Sequence, residues 1–312
     1  MSDRPTLSAH APLDKGDARA VGPRIRMMTP DLTPLEARVA EMLLGARDFG
    51  ESTPLSDVAK AAGVSEAMVV KLAKKLGYTG YRTFRASLAA YNRLPIVELH
   101  QELSPDDTLE AIVQKVFRTS IQALEETLAI LDMKALARAA ELLHGARQRD
   151  FYGVGGSAQI ARDVSHKFLR IGVRTSVQDD AHMMLMSASL LDAGDVVVAF
   201  SHSGETQVVI EAAALARANG AGTIAVTNYS GSTLAGNADV VLCSTAQGSP
   251  LMGENAAARI AQLNILDAVF VAVAQRDYAG AQSNLERTMR PVQAKRKGRI
   301  HDVAEPDNRR RR

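Results

Sequence analysis

The sequence predicts two domains of different class: an all-helical N-terminal domain, then an α/β domain on a five-stranded parallel sheet flanked by helices. Three observations predict this. A chain of 312 residues is too long for one small core. Residues 33–92 carry apolar side chains at helical spacing. Residues 150–275 instead alternate short apolar runs (FYGV, TSV, DVVVAF, GTIAV, DVVLC) with helical periods, the pattern of βαβ units with both faces covered.

In chain order, residues 1–30 carry Pro, Gly and scattered charge without periodicity, which predicts a disordered arm. A helical domain follows over 31–93. Thr33 and Glu36 form a capping-box pattern with Pro34 at the first helical position, and Leu35, Val39, Met42 and Leu43 make an apolar stripe. In LSDVAKAAG, Leu55, Val58 and Ala59 face inward and Gly63 ends the helix. In VSEAMVVKLAKKLG, Ser65 is the N-cap, Gly77 closes the helix, and Val69, Leu72, Ala73 and Leu76 form the buried face. Two helices joined by a tight turn at Gly63–Val64 make a helix-turn-helix.

The opposite face of its second helix carries the chemistry. From Ser65 to Arg85 there are five basic residues (Lys71, Lys74, Lys75, Arg82, Arg85) and one acid, Glu66, although the whole chain has a net charge of only +2. Such a helix neutralises phosphates while Ser65, Glu66 and Met68 at its start reach base edges in the major groove of duplex DNA. Lys71, Lys74, Lys75, Tyr81 and Arg82 are the predicted backbone contacts. Lysine suits phosphate as a point charge and is poorer than arginine for reading guanine. Charge alone favours a solvated helix face; helix lengths, turn and charge asymmetry, taken together with a family resemblance, favour DNA. A symmetric dimer would set two such helices about one DNA turn (~34 Å), or a multiple, apart on a palindromic operator.

Residues 94–147 are predicted as a linker with connecting helices. Pro105 and Asp106 open the first and Asp132 caps the second. Ile112, Val116, Ile121, Leu124 and Leu128 suit packing on the second domain or on a partner subunit, or plain core use.

The α/β domain is placed at 148–278. Its first strand runs into GVGGS, where Gly153, Gly155 and Gly156 let backbone amides approach an anion at a helix N-terminus and Ser157 adds a hydroxyl. A dinucleotide fingerprint is the competing reading; the spacing is not G-x-G-x-x-G, though Asp179 or Asp180 lies downstream. The third strand stops at SHSGET. Ser201, Ser203 and Thr206 set three hydroxyls around a turn made by Gly204, a neutral, donor-rich cup suited to a phosphate monoester. It would lie at the carboxyl ends of the strands, where open α/β sheets bind ligands. Ordinary turn and N-cap use is the plainer alternative.

Residues 279–312 are polar. From Arg287 to Arg312 there are ten Lys or Arg against three acids, which predicts a disordered basic tail or a non-specific DNA contact. A single cysteine, Cys243, fits a reducing compartment. No apolar run approaches the ~20 residues of a membrane helix and the N-terminus lacks a secretory core, so a cytoplasmic protein is expected. No metal-ligand spacing and no cofactor is predicted.

SHSGET, TNYSGSTLAGNADVVL and the ARIAQL helix resemble the sugar isomerase (SIS) domain. Preceded by LSDVAKAAGVSEAMVVKLAKKLGYTGYRTF, they resemble the RpiR/MurR family of transcription regulators, over about residues 31–275. The resemblance implies a phosphosugar effector, a homodimer or homotetramer, and control of carbohydrate genes. It implies effector-phosphate contacts at Ser157, Ser201, Ser203 and Thr206, beside Gly155 and Gly204. Lys71 and Lys74 match basic positions of the recognition helix that are often arginine in relatives. GENAAAR departs from the usual small-residue pattern and leaves Glu254 as a sugar contact. SIS folds also occur in sugar-phosphate isomerases, whose chemistry needs a base near C1–C2. Glu205, Glu254, His166, His182 and His202 are the candidates here, and the helix-turn-helix argues for a regulator without catalytic residues.

Overall fold

The computed structural model describes residues 17–46, 48–95, 103–246 and 255–296. The first departure from expectation comes at once. The second half of the expected disordered arm is ordered: a 3-10 turn at Ala18–Ala20 leads into α1 (Val21–Met27), which buries Val21, Ile25 and Met27. Asp17 caps the turn by accepting from Arg19 N at 3.0 Å. Gly22 permits the docking, because a Cβ there would stand 2.1 Å from Tyr91 Cζ.

Helices α2 (Pro34–Gly45), α3 (Leu55–Ala62), α4 (Glu66–Lys75) and α5 (Tyr81–Asn92) complete the first domain around Val39, Leu43, Val58, Val69, Leu72, Phe84 and Leu88. The capping box of α2 is present in both directions. Gly63 ends α3 at φ +66°, a conformation that favours glycine, and Ser65 caps α4 by accepting from Met68 N at 3.3 Å.

Helix α6 (Leu109–Ile130) starts later than expected. Thr108 caps it, while Asp107 accepts from Ser104 N and pairs with Lys115. Its sides are reversed relative to an ordinary core helix. Leu109, Ile112, Val113, Phe117, Ile121 and Leu128 are exposed, whereas Thr119, Gln122, Glu126 and Thr127 are buried. Helix α7 (Met133–Gly145), capped by Asp132, is no connector: Leu136, Ala139, Ala140 and Leu143 pack into the core beneath the sheet.

The sheet comprises β1 (Arg149–Tyr152), β2 (Ser176–Gln178), β3 (Val196–Phe200), β4 (Gly222–Thr227) and β5 (Val240–Cys243) in the order β2-β1-β3-β4-β5, all parallel. The strand period of two decides the faces. Val196, Val198 and Phe200 meet α7, α8 (Gly156–Arg170) and α12 (Asn255–Arg276); Val197 and Ala199 meet α9 (Ala181–Ala188) and α10 (Gln207–Ala218). Phe151 stacks edge-to-face on Phe168 and Phe200. The topology reverses between β1 and β3, so the loops leaving those strands open side by side.

Two C-terminal helices also differ from expectation. Ala256–Arg276 of α12 is long and apolar enough to cross a membrane, yet it packs on α6, α7 and α8 and buries Ile265, Leu266, Val269 and Val273. The first half of the expected disordered tail is α13 (Tyr278–Arg296): Asn284 Nδ2 and Thr288 Oγ1 donate to the last carbonyls of α8, Ile171 O and Arg170 O. The arginines from 309 to 312 lie outside the described residues.

Candidate functional sites

After β1 the chain turns through Gly153–Gly155 into α8. Gly155 adopts φ +57°, and a Cβ on Gly153 would press on the Ser157 carbonyl at 3.2 Å, so the turn is both left-handed and tight. Ser157 is half-buried at the start of a fifteen-residue helix whose dipole favours an anion.

After β3 comes the second loop. Ser201 is buried, and its hydroxyl accepts from Gly204 N at 3.0 Å and bonds Thr206 Oγ1 at 2.9 Å. Thr206 stands at the N-cap of α10 without capping it. Ser203 Oγ accepts from Glu205 N. Gly204 adopts φ +68°, and a Cβ would lie 2.1 Å from Ser232 Oγ, so no other residue fits.

The two loops border one cavity of about 370 Å³. Ser157, Ser203 and Thr206 line it; Ser201, Gly204 and Gly155 do not, the first two bracing the loop from beneath. Sequence reasoning missed the far wall. Arg259 and Gln262 arrive from α12, about a hundred residues on, and the Arg259 guanidinium lies over Gly156, 2.7 Å from where a Cβ would be. ARIAQL was read as part of a resemblance, but nothing local says which of its residues faces the cavity. Glu254 lies outside the described residues.

Among the described residues the enzyme candidates do not converge. Glu205 accepts from Thr233 N at 2.8 Å and Thr233 Oγ1 at 2.7 Å. His166 and His182 are exposed elsewhere, and His202 alone of the three histidines lines the cavity. Among the described lining residues none is a carboxylate. Asp180 caps α9 and Asp179 pairs with Arg162, so neither is left poised for a ribose. The Cys243 thiol is pushed up to about 12 by burial and stays protonated. Among the described residues no group of three His, Cys, Asp or Glu could hold a metal. A second hollow, of about 410 Å³, opens at the opposite ends of the strands, and its acids Glu141, Asp195 and Asp239 pair with Arg138, Arg147 and Arg217.

On the helical domain, Ser65, Glu66, Lys71, Lys74 and Arg82 are exposed on and beside α4. Met68 is half-buried against the core. Two expected contacts are engaged within the domain. Tyr81 is buried, its O–H donating to Thr53 O at 2.9 Å, so its ring and hydroxyl brace α5. Lys75 is half-buried and donates to Glu36 Oε2 at 2.8 Å, holding α4 on α2. Lys75 ends α4 itself and Tyr81 begins α5, and on both helices the side-chain direction turns the residue toward the domain.

Known proteins fit this geometry. The family model for the helix-turn-helix domain of the rpiR family matches residues 20–93, and the SIS domain model matches residues 142–272. The HTH-type transcriptional regulator RpiR of Escherichia coli K12 is 44% identical over 268 residues, covering 86% of this chain and 90% of that protein. The HTH-type transcriptional regulator HexR of Pseudomonas aeruginosa is 33% identical, covering 85% and 92%. The solved structure of Vibrio vulnificus NanR complexed with ManNAc-6P superposes with a TM-score of 0.55 at 28% identity, covering 87% of this chain and 97% of that one. With a helix-turn-helix before a SIS domain and relatives matched along nearly their whole length, the chain belongs to the RpiR family of HTH-type transcriptional regulators.

Proposed function

We propose that this regulator controls carbohydrate-metabolism genes by binding a palindromic DNA operator as a homodimer or homotetramer, and that it responds to a phosphorylated sugar held between the GVGGS and SHSGET loops. The observation that carries the reading is a hydroxyl-lined cavity at the carboxyl ends of adjacent parallel strands, in the same chain as a helix-turn-helix with a basic face. Ser157, Ser203 and Thr206 hold the phosphate, Ser201, Gly155 and Gly204 shape the cup, and Arg259 supplies the neutralising charge. Glu254 is proposed as a sugar contact. Ser65, Glu66 and Met68 face bases; Lys71, Lys74 and Arg82 hold DNA phosphates. That NanR was solved with a phosphorylated sugar supports the ligand class.

The exposed apolar stripe of α6 supports the oligomer, since apolar patches of that extent mark interfaces. A chain acting on DNA is placed in the cytoplasm. We read it as a regulator without catalysis. An isomerase would need a base at the sugar carbons, and the Glu205 carboxylate is already occupied by Thr233. The test is a thermal-shift screen with phosphorylated sugars, the matching free sugars and NAD. A rise with a sugar phosphate alone supports the reading. A rise with NAD alone, and none with any phosphate, would replace it with a dinucleotide domain.

A further inference from the structure

The DNA reader and the cup meet on one helix, through a seam of buried polar groups. On one side of α6, Glu126 is fully buried and accepts from Arg26 of α1, from Tyr91 O–H of α5 at 2.7 Å, and from Gln122 Nε2 at 3.0 Å. Its chain neighbour Thr127 faces the α/β domain. Thr127 Oγ1 donates to Thr245 O at 3.2 Å and accepts from Thr245 N at 3.0 Å, just past β5. Next to Thr245, the Ser244 hydroxyl donates to Asn228 Oδ1, which also accepts from Gln262 Nε2 at 3.3 Å. Gln262 lines the cup.

The seam is costly and specific. Burying an ion pair returns little stability compared with apolar packing, and its best-attested use is to fix one geometry among several. Arg26 holds its charge: burial opposes it, but Glu126 and Tyr91 outweigh burial and raise the Arg26 pKa. Two atoms, Arg26 Nε and Gln122 Oε1, have no hydrogen-bond partner among the described residues. Each such buried atom left without a partner is costly, so the joint is less stable than a fully satisfied network would be. A separate contact runs parallel to it. Asp31, just before α2, lies over Gly231, where a Cβ would stand 2.1 Å from its carboxylate, and Ser232 of that same loop abuts Gly204 of the cup.

We propose that Glu126 and Thr127 are positioning residues that transmit occupancy of the cup to the DNA reader, Thr127 registering the end of β5 and Glu126 setting α1 and α5. This rests on the cup reading above. A ligand that draws on Gln262 shifts Asn228, Ser244 and Thr245, and α6 carries the shift to Arg26 and Tyr91. For the ligand to move the equilibrium it must bind the two arrangements with different affinity.

The test is hydrogen exchange by mass spectrometry on the full chain, with inorganic phosphate, glucose 6-phosphate and N-acetylmannosamine 6-phosphate as probes. Wild type is compared with Thr127→Val and with the paired Arg26→Met/Glu126→Leu, which leaves no orphaned charge. Neither variant touches a cup residue, and if one fails to fold the other decides. In wild type a probe slows exchange at residues 201–206 and changes it at 21–27 and 81–92 by about fivefold or more. In the variants the cup response persists while the reader response falls below about twofold, and Thr127→Ser restores it. A reader response of equal size in the variants, or a wild-type cup response with a silent reader, overturns the proposal and leaves the cup standing. No response at 201–206 with any probe overturns the cup reading and this proposal with it.

Discussion

Lys75 Nζ donates to Glu36 Oε2 at 2.8 Å, so the residue that completes the capping box of α2 also anchors α4. The Glu36 carboxyl is held at about 2, first by Lys75 and then by the Thr33 N–H. A carboxyl whose folded pKa lies below its unfolded value stabilises the fold above the unfolded value and loses that contribution as pH falls through the folded one. Here the window runs from about pH 5 down to about 2. Urea unfolding across that window should show wild type losing about 1–3 kcal/mol more than Glu36→Gln, which starts less stable at pH 7. Parallel pH profiles would show that Glu36 contributes nothing of this kind.

Lys71 is exposed on α4 and Lys75 is committed to Glu36, so two lysines of one helix should behave differently. Lys71→Ala should reduce the salt slope of DNA binding by about one and leave the melting temperature unchanged. Lys75→Ala should lower the melting temperature with a smaller effect on that slope. Anisotropy titrations at several salt concentrations, on duplexes selected by the wild-type protein, separate the two; equal slope changes would place Lys75 on DNA.

Ser201 touches Gly204 N and Thr206 Oγ1 from below the cavity. Ser201→Ala should cost sugar-phosphate binding about 1–3 kcal/mol by calorimetry, with ligand-free DNA affinity intact. Gly204→Ala should be worse, since it combines a left-handed backbone with a collision against Ser232. Arg259→Ala should weaken phosphorylated sugars without creating affinity for unphosphorylated ones.

Phe117 and Leu128 are each 67% exposed on the apolar side of α6. Replacing both with Glu should shift light-scattering mass toward the monomer and lower operator affinity, because a palindrome rewards two tethered readers. An unchanged mass would move the subunit contact off α6.

The residues that were legible in the sequence are those whose meaning is local. SHSGET announces a turn with three hydroxyls whatever surrounds it, and Gly63–Ser65 spells a helix stop and a helix start. The parallel sheet followed from five apolar runs separated by helical periods. Helix α1 escaped because seven residues containing Gly22 and Pro23 show no period, and Gly22 makes sense only once Tyr91 is seen against it. The stripe on α6 was visible, but its direction depended on Glu126 finding Arg26 and Tyr91, partners distant in the chain. Arg259 was hidden for the same reason: it becomes a wall of the cavity only when α12 closes over α8.

The strand order brings together two loops that are some forty residues apart in sequence, 153–157 and 201–206. Neither is a binding element alone, since an excised peptide of either would keep its hydroxyls and lose the turn that aims them. Any anion held between them is therefore a reporter of the intact domain. Denaturant should release it in one step with the cooperative loss of the sheet, and its affinity should fall to nothing in a fragment that ends before β3.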